Sequence, residues 1–191
     1  MKHQAQWAGS STAKRFGGAR RRLVVVNDAC SLSAGGMISP EQLSALRLIH
    51  ERLGETPIVW VITGSLSFAL REMDVPVHDI DIQSDREGAY QIERLLQEYV
   101  IEPVRFSSTT QIRSHFGALV VRGTRVEIMG DIEKRTGCSL WEPPAELTRH
   151  RQWVTVAGMT IPVLALHHES MGLCGQTSRG SVCVETLVTS N

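Results

Sequence analysis

No stretch of this chain is apolar for long enough to cross a bilayer, which excludes a helical membrane anchor as an expectation of the sequence. Its cysteines, Cys30, Cys138, Cys174 and Cys183, form no Cys-x-x-Cys pair and no zinc spacing, so they read as reduced thiols of a cytoplasmic protein. Net charge is also missing. Twenty basic and twenty acidic residues cancel, and the whole-chain balance gives no pointer to nucleic acid. Before Asp28 there is no acidic residue, although Lys2, Lys14, Arg15, Arg20, Arg21 and Arg22 are all there. Leu23 to Val26 is too short an apolar core for a secretory signal. Internal repeats and low-complexity tracts are absent. What is present is 191 residues with 42% hydrophobic content, enough chain for one domain with a proper core.

The informative stretch runs from Trp60 to Gln83. Ile58 to Thr63 is an apolar, largely β-branched run that suits a buried strand, and Gly64-Ser65 breaks it. Leu66 to Arg71 reads as a short helix starting at the break, and a loop holding Pro76 follows. His78-Asp79-Ile80-Asp81-Ile82 then alternates polar and apolar as a half-buried strand does. Period-2 geometry puts Asp79 and Asp81 on one face, about 7 Å apart along the strand, with Ile80 and Ile82 behind them. Carboxylates that close repel unless a cation sits between them, and oxygen ligands of this kind suit magnesium. The Gly-Ser turn offers backbone N–H groups and a hydroxyl at a helix N-terminus, a place for a phosphate. Together these are the parts of metal-assisted phosphoryl or nucleotidyl transfer.

Gly64-Ser65, thirteen intervening residues and the Asp79-x-Asp81 strand resemble the signature of the nucleotidyltransferase superfamily. The resemblance covers roughly Pro40 to Glu169. It is closest to the small bacterial branch of lincosamide and aminoglycoside nucleotidyltransferases and related toxin–antitoxin transferases. It implies an α+β fold, a mixed β-sheet with helices packed on one face and the active site at the sheet's edge. It also implies a third carboxylate on a neighbouring strand. Glu127 takes that place, because Val126 and Ile128 face one way along Arg125 to Met129 and Glu127 the other; Asp131 is the alternative. The implied reaction moves a nucleoside monophosphate from a nucleoside triphosphate to a hydroxyl and releases pyrophosphate. Gly64 and Ser65 would hold the terminal phosphates, and Asp79 and Asp81 would bind magnesium, as two ions. Glu127 would complete the metal site or act as general base.

The flanking pattern fills in the domain. Ser39-Pro40-Glu41 is a helix start, followed by an apolar stripe of Leu43, Leu46, Ile49 and Leu53 and a stop at Gly54. Ser84 to Glu87 reads as a capping box, with Ile92, Leu95, Leu96 and Tyr99 turned inward on the next helix. Pro103 to Phe106 reads as a short strand and Ser107 to Thr110 as a polar loop. Leu119 to Val121 pairs with Arg125 to Met129, and Trp153 to Val156 pairs with Met159 to Leu164, as two hairpins. Arg105 and Arg113 are candidates to reach a triphosphate. His78 points away with Ile80 as a packed or edge histidine. His167 and His168 lack an Asp or Cys at a ligand spacing.

The domain is expected to span residues 37–169. Residues 1–36 read as a leader that is disordered or non-native, with Met37 a candidate start, and 170–191 as an atypical tail of frameshifted or truncated origin. The acceptor, whether small molecule, RNA or protein, is not written in the sequence. Two rivals use the same residues: a non-catalytic, transferase-like partner in a toxin–antitoxin pair, and a metal-dependent phosphohydrolase.

Overall fold

Ser39 caps the first helix as its sequence foretells. The computed structural model describes residues 38–135 and 140–173. The expectations for residues 1–36, for the end of the 170–191 tail and for all four cysteines lie outside these described residues. Helix α1 (Pro40–Leu53) begins with a full capping box, in which Ser39 Oγ accepts from the Gln42 amide and Gln42 Oε1 accepts from the Ser39 amide. Ala45, Leu46, Leu48, Ile49 and Leu53 bury its inner face.

Strand β1 (Trp60–Thr63) leads into helix α2 (Gly64–Ala69), and strand β2 (Ile80–Ser84) into helix α3 (Arg86–Leu95). A 3-10 turn at Gln97–Tyr99 joins α3 to strands β3 (Val100–Ser108), β4 (Ile112–Val121) and β5 (Thr124–Lys134). A short helix α4 (Leu147–His150), strands β6 (Arg151–Val156) and β7 (Met159–Leu164), and helix α5 (Leu166–Leu173) complete the order. The seven strands form one mixed sheet in the order β3-β4-β5-β2-β1-β7-β6. The β1–β7 and β2–β5 pairs are parallel, and the other neighbours are antiparallel.

Both expected hairpins are present, with strands β3, β4 and β5 longer than the sequence suggested. The β4–β5 hairpin closes on Arg122 (φ 51°) and Gly123 (φ 82°), and the β6–β7 hairpin on Ala157 (φ 46°) and Gly158 (φ 76°). Positive φ at both central residues matches the right-handed twist of the strands, as two-residue hairpin turns require. Ser107 and Ser108, read as loop, extend β3, because β4 runs opposite them.

Alternation divides the sheet into two faces. Ile62, Ile80, Ile82, Val126, Ile128, Ile161 and Val163 meet Leu46, Ile49, Ala89, Ile92 and Leu96 of the α1 and α3 region in the main core. The opposite face carries a small cluster of Val61, Leu147 and Leu164. The fold is therefore α+β, with the longer helices on one face.

Two details of α3 differ from the reading of the sequence. Asp85, not Ser84, is the N-cap and accepts from the Gly88 amide at 2.6 Å. Ser84 instead ends β2 and donates to the Val59 carbonyl at 2.6 Å, because the ladder with β1 and β5 extends through it. Leu95 is 36% exposed, since only Ile92 and Leu96 of that stripe fall under the helix axis.

Ile128 is fully buried behind Glu127, whereas Ile101 on β3 is 56% exposed. Ile128→Ala is expected to cost about 2–5 kcal/mol in chemical denaturation, and Ile101→Ala roughly 0.5 kcal/mol or less. Equal costs at the two positions would contradict the placement of the core.

Candidate active site

The register of three adjacent strands builds the acidic site. Thr63 of β1 pairs with Asp81 of β2, and Asp81 pairs with Glu127 of β5. Paired residues share a face, so Asp81 and Glu127 stand side by side, about 4.8 Å apart across the ladder. Their isoleucine neighbours fill the core on the other side. Asp79 lies one residue before β2, at the mouth of the strand, and its side chain turns to the same place. Carboxylate oxygens of Asp79, Asp81 and Glu127 all lie within 4.8 Å of one another.

This cluster stands on β2 and β5, middle strands of the seven, and not at the sheet's edge. The reason is the β6–β7 hairpin, which adds to the free side of β1 through the Ile62–Val163 pair. The site is open because the long helices occupy the other face.

Gly64 is held against the cluster. It has φ +68°, a conformation that side-chain-bearing residues rarely adopt, and an added Cβ would collide with Asp81 Oδ2. Absence of a side chain thus lets the turn between β1 and α2 touch the central carboxylate. Ser65 follows, half-buried, in the first turn of α2.

The electrostatics follow from this crowding. Burial, first, and then the charges of Asp79, Glu127 and Glu169 push the Asp81 carboxyl up to about 7. Glu127 is paired with Arg125 on the same strand face at 2.8 Å, and this ion pair raises the already high Arg125 pKa. The Arg125 field also reaches Asp79 and Glu102. Arg125 thus supplies the local positive charge, a role the sequence did not reveal.

Glu169 is the second residue not foreseen. Its Oε1 accepts from Ser67 Oγ at 2.5 Å and pairs with Arg71 Nη1 at 3.3 Å, which joins α5 to α2. Arg71 also donates to Ser67 Oγ and to the Leu164 carbonyl. Oε2 of Glu169 is buried without a hydrogen-bond partner. Burial lifts this carboxyl to about 7, against the opposing pull of Ser67, Arg71 and the Gly64 backbone. In the sequence, Glu169 closes a short helix start at Leu166-His167-His168-Glu169 at the very end of the expected domain, and nothing local marks it as a partner of Ser67 and Arg71.

The other candidates go elsewhere. Arg105 pairs with Glu102 at 3.0 Å and is largely exposed. Arg113 pairs with Glu133 at 2.5 Å and lies over the Trp141 ring at 4.5 Å. Both are engaged by these partners, so neither is placed with the acidic cluster. Asp131 sits at φ 48° where β5 slips register against β4, and it lines a cavity of about 190 Å³ with Gln83, Asp85 and Leu147. Glu127, not Asp131, therefore joins the aspartates. His78 is exposed, not packed. His167 and His168 belong to a separate cluster with His150.

A three-carboxylate cluster on a mixed sheet, touched by a Gly-Ser turn, is the arrangement that the resemblance to nucleotidyltransferases leads one to expect. The comparisons agree. The family model for aminoglycoside-2''-adenylyltransferase matches residues 45–182, and the chain belongs to that family. A crystal structure of a candidate nucleotidyltransferase from Thermotoga maritima is similar at 52% identity and a TM-score of 0.70, covering 72% of this chain and 86% of that one. Among curated proteins no significant match is found. Among the described residues no helix is long and apolar enough to cross a membrane.

The raised Asp81 carboxyl yields a signed prediction. Its folded value of about 7 stands above the ordinary carboxylate value near 4, so protonation favours the folded state. Its contribution is complete below about pH 4 and is lost as pH rises through about 7. Asp81→Asn has no such loss. In chelator-treated protein, the melting temperature of the variant relative to wild type is expected to climb as pH rises from about 5 to about 8. A pH-independent difference between the two would contradict the crowding.

Proposed function

We propose that this protein transfers a nucleoside monophosphate from a nucleoside triphosphate to a hydroxyl acceptor, with magnesium at the acidic site and release of pyrophosphate. The observation that carries this reading is the contact of Gly64 with Asp81. It sets the Gly-Ser turn directly beside a cluster of three carboxylates. The donor set fits a hard divalent cation: its atoms are all carboxylate oxygens, close together, and burial and mutual repulsion leave them short of positive charge. Asp79, Asp81 and Glu127 would hold magnesium, which supplies charge neutralisation and Lewis acidity at the transferring phosphorus.

The chain's own residues do the rest. The Gly64-Ser65 turn begins α2, so the amides that Glu169 does not engage and the Ser65 hydroxyl would serve the terminal phosphates. Arg125 neutralises charge on the same sheet face. Glu127, the partner of Asp81 across the ladder, would accept the proton of the attacking hydroxyl or complete the metal site. The acceptor oxygen bonds to the α-phosphorus, and the bond to the pyrophosphate oxygen breaks. Catalysis of this kind is chiefly positioning and electrostatic stabilisation. The family's name points to an amino-sugar hydroxyl as the first acceptor class to test.

The test is incubation of the protein with each labelled triphosphate, magnesium and a panel of hydroxyl acceptors. Pyrophosphate release that requires an acceptor is expected. Acceptor-independent release of inorganic phosphate would show a phosphohydrolase instead, and silence with every acceptor would favour a non-catalytic partner protein. Asp81→Asn should lower transfer on the order of a thousandfold.

Gly64→Ala tests the contact itself. The left-handed backbone alone disfavours alanine by roughly 1–2 kcal/mol, and the methyl group must displace Asp81 Oδ2. The increment in melting temperature on adding magnesium is expected to shrink sharply in this variant. An undiminished increment would separate Gly64 from the metal site.

A further inference from the structure

Among the described residues, one cluster of ligand-type side chains stands apart from the acidic site. His150 ends α4, and His167 and His168 lie in the first turn of α5. The β6–β7 hairpin brings them together. Arg151 pairs with Leu164 at its open end, and one step further the Ala165 amide donates to the His150 carbonyl at 2.8 Å. That pairing fixes His150 opposite the start of α5. The ring centroids of His150 and His168 are 3.6 Å apart, those of His167 and His168 4.5 Å, and those of His150 and His167 5.7 Å. A ring nitrogen from each lies within 4.8 Å of the other two.

We infer that His150, His167 and His168 form a binding site for a borderline transition metal ion such as Zn2+, separate from the magnesium-type carboxylate site. Three imidazoles and no carboxylate make a donor set for zinc, nickel or copper, and a poor one for magnesium. At the usual Zn–N distance of about 2.0–2.1 Å, tetrahedral ligation sets nitrogens roughly 3.4 Å apart. The rings therefore close on an ion by swinging about an ångström, which rotation of exposed and half-buried side chains allows. Three protein ligands leave a fourth position for water or an incoming group.

Lys134 lies near the cluster, with Glu142 and Glu169 near it in turn. The ion would tie α4 to α5, and α5 carries Glu169, which holds Ser67 and Arg71 of the α2 region. Its place is thus structural, at the support of the Gly64 turn.

The test uses tag-free full-length protein with thiols alkylated, so that its four cysteines cannot compete, and with excess magnesium to occupy the carboxylates. Zn2+ titrated calorimetrically is expected to bind at one equivalent. His150→Gln and His168→Gln should each weaken this at least about tenfold, while Asp81→Asn leaves it within about twofold. The exposed His167→Gln gives the same reading should a variant at the other two positions fail to fold. Cu2+ bound to wild type should show imidazole nitrogen couplings in its paramagnetic resonance spectrum, reduced in the variants. No zinc binding by wild type, binding unchanged in the histidine variants, or binding lost with Asp81→Asn would each overturn the assignment. None of these readings depends on nucleotidyl transfer, so the site stands or falls apart from the proposed activity.

Discussion

The repulsion among Asp79, Asp81 and Glu127 is the constraint on which the site depends. Left to themselves, three carboxylates within a few ångströms would separate or take up protons, and burial first, then its neighbours' charges, already push Asp81 to about 7. What holds them is the sheet. Their strands cannot slip by one residue without sending Ile80, Ile82, Val126 and Ile128 to the open face and the carboxylates into the core. Burial of those side chains is worth about 1.5–3 kcal/mol each, so it outweighs the repulsion and fixes the register. The hydrophobic face thereby holds together three carboxylates that would otherwise move apart.

Much of this was legible in the sequence because it is local or strictly periodic. Period-2 alternation alone put Asp81 and Glu127 opposite their isoleucine and valine neighbours, and Gly64-Ser65 marked the turn. The helix start at Ser39-Pro40 and the two hairpins read correctly for the same reason: each is settled within a few residues. The sheet's central position for the site was not legible. It needs the pairing of Ile62 with Val163, a contact between distant parts of the chain that no local pattern encodes.

Side chains whose partners come from elsewhere escaped in the same way. Arg113 looked available, but Glu133 and Trp141 hold it across the β4–β5 pair. In the sequence Arg125 reads only as the first residue of a strand, yet the face it shares with Glu127 sets its charge beside that carboxylate. His167 and His168 lacked a third ligand at any usual spacing because His150 is supplied by the far side of a hairpin. Ser84 misled for a different reason: ladder pairing on both sides kept it in β2, and Asp85 was free to cap.

The mixture of parallel and antiparallel pairs also sets an order of assembly. Hairpins β4–β5 and β6–β7 each close over two residues, and such units form on the order of microseconds. Joining β2 to β5, or β1 to β7, requires closing long loops before any contact rewards it, and such pairings are slow. During synthesis Asp79 and Asp81 emerge well ahead of Glu127, and the β7 strand that flanks β1 comes later still. A chain caught early therefore has no acidic triad, which is assembled only with the long-range pairing of β2 and β5.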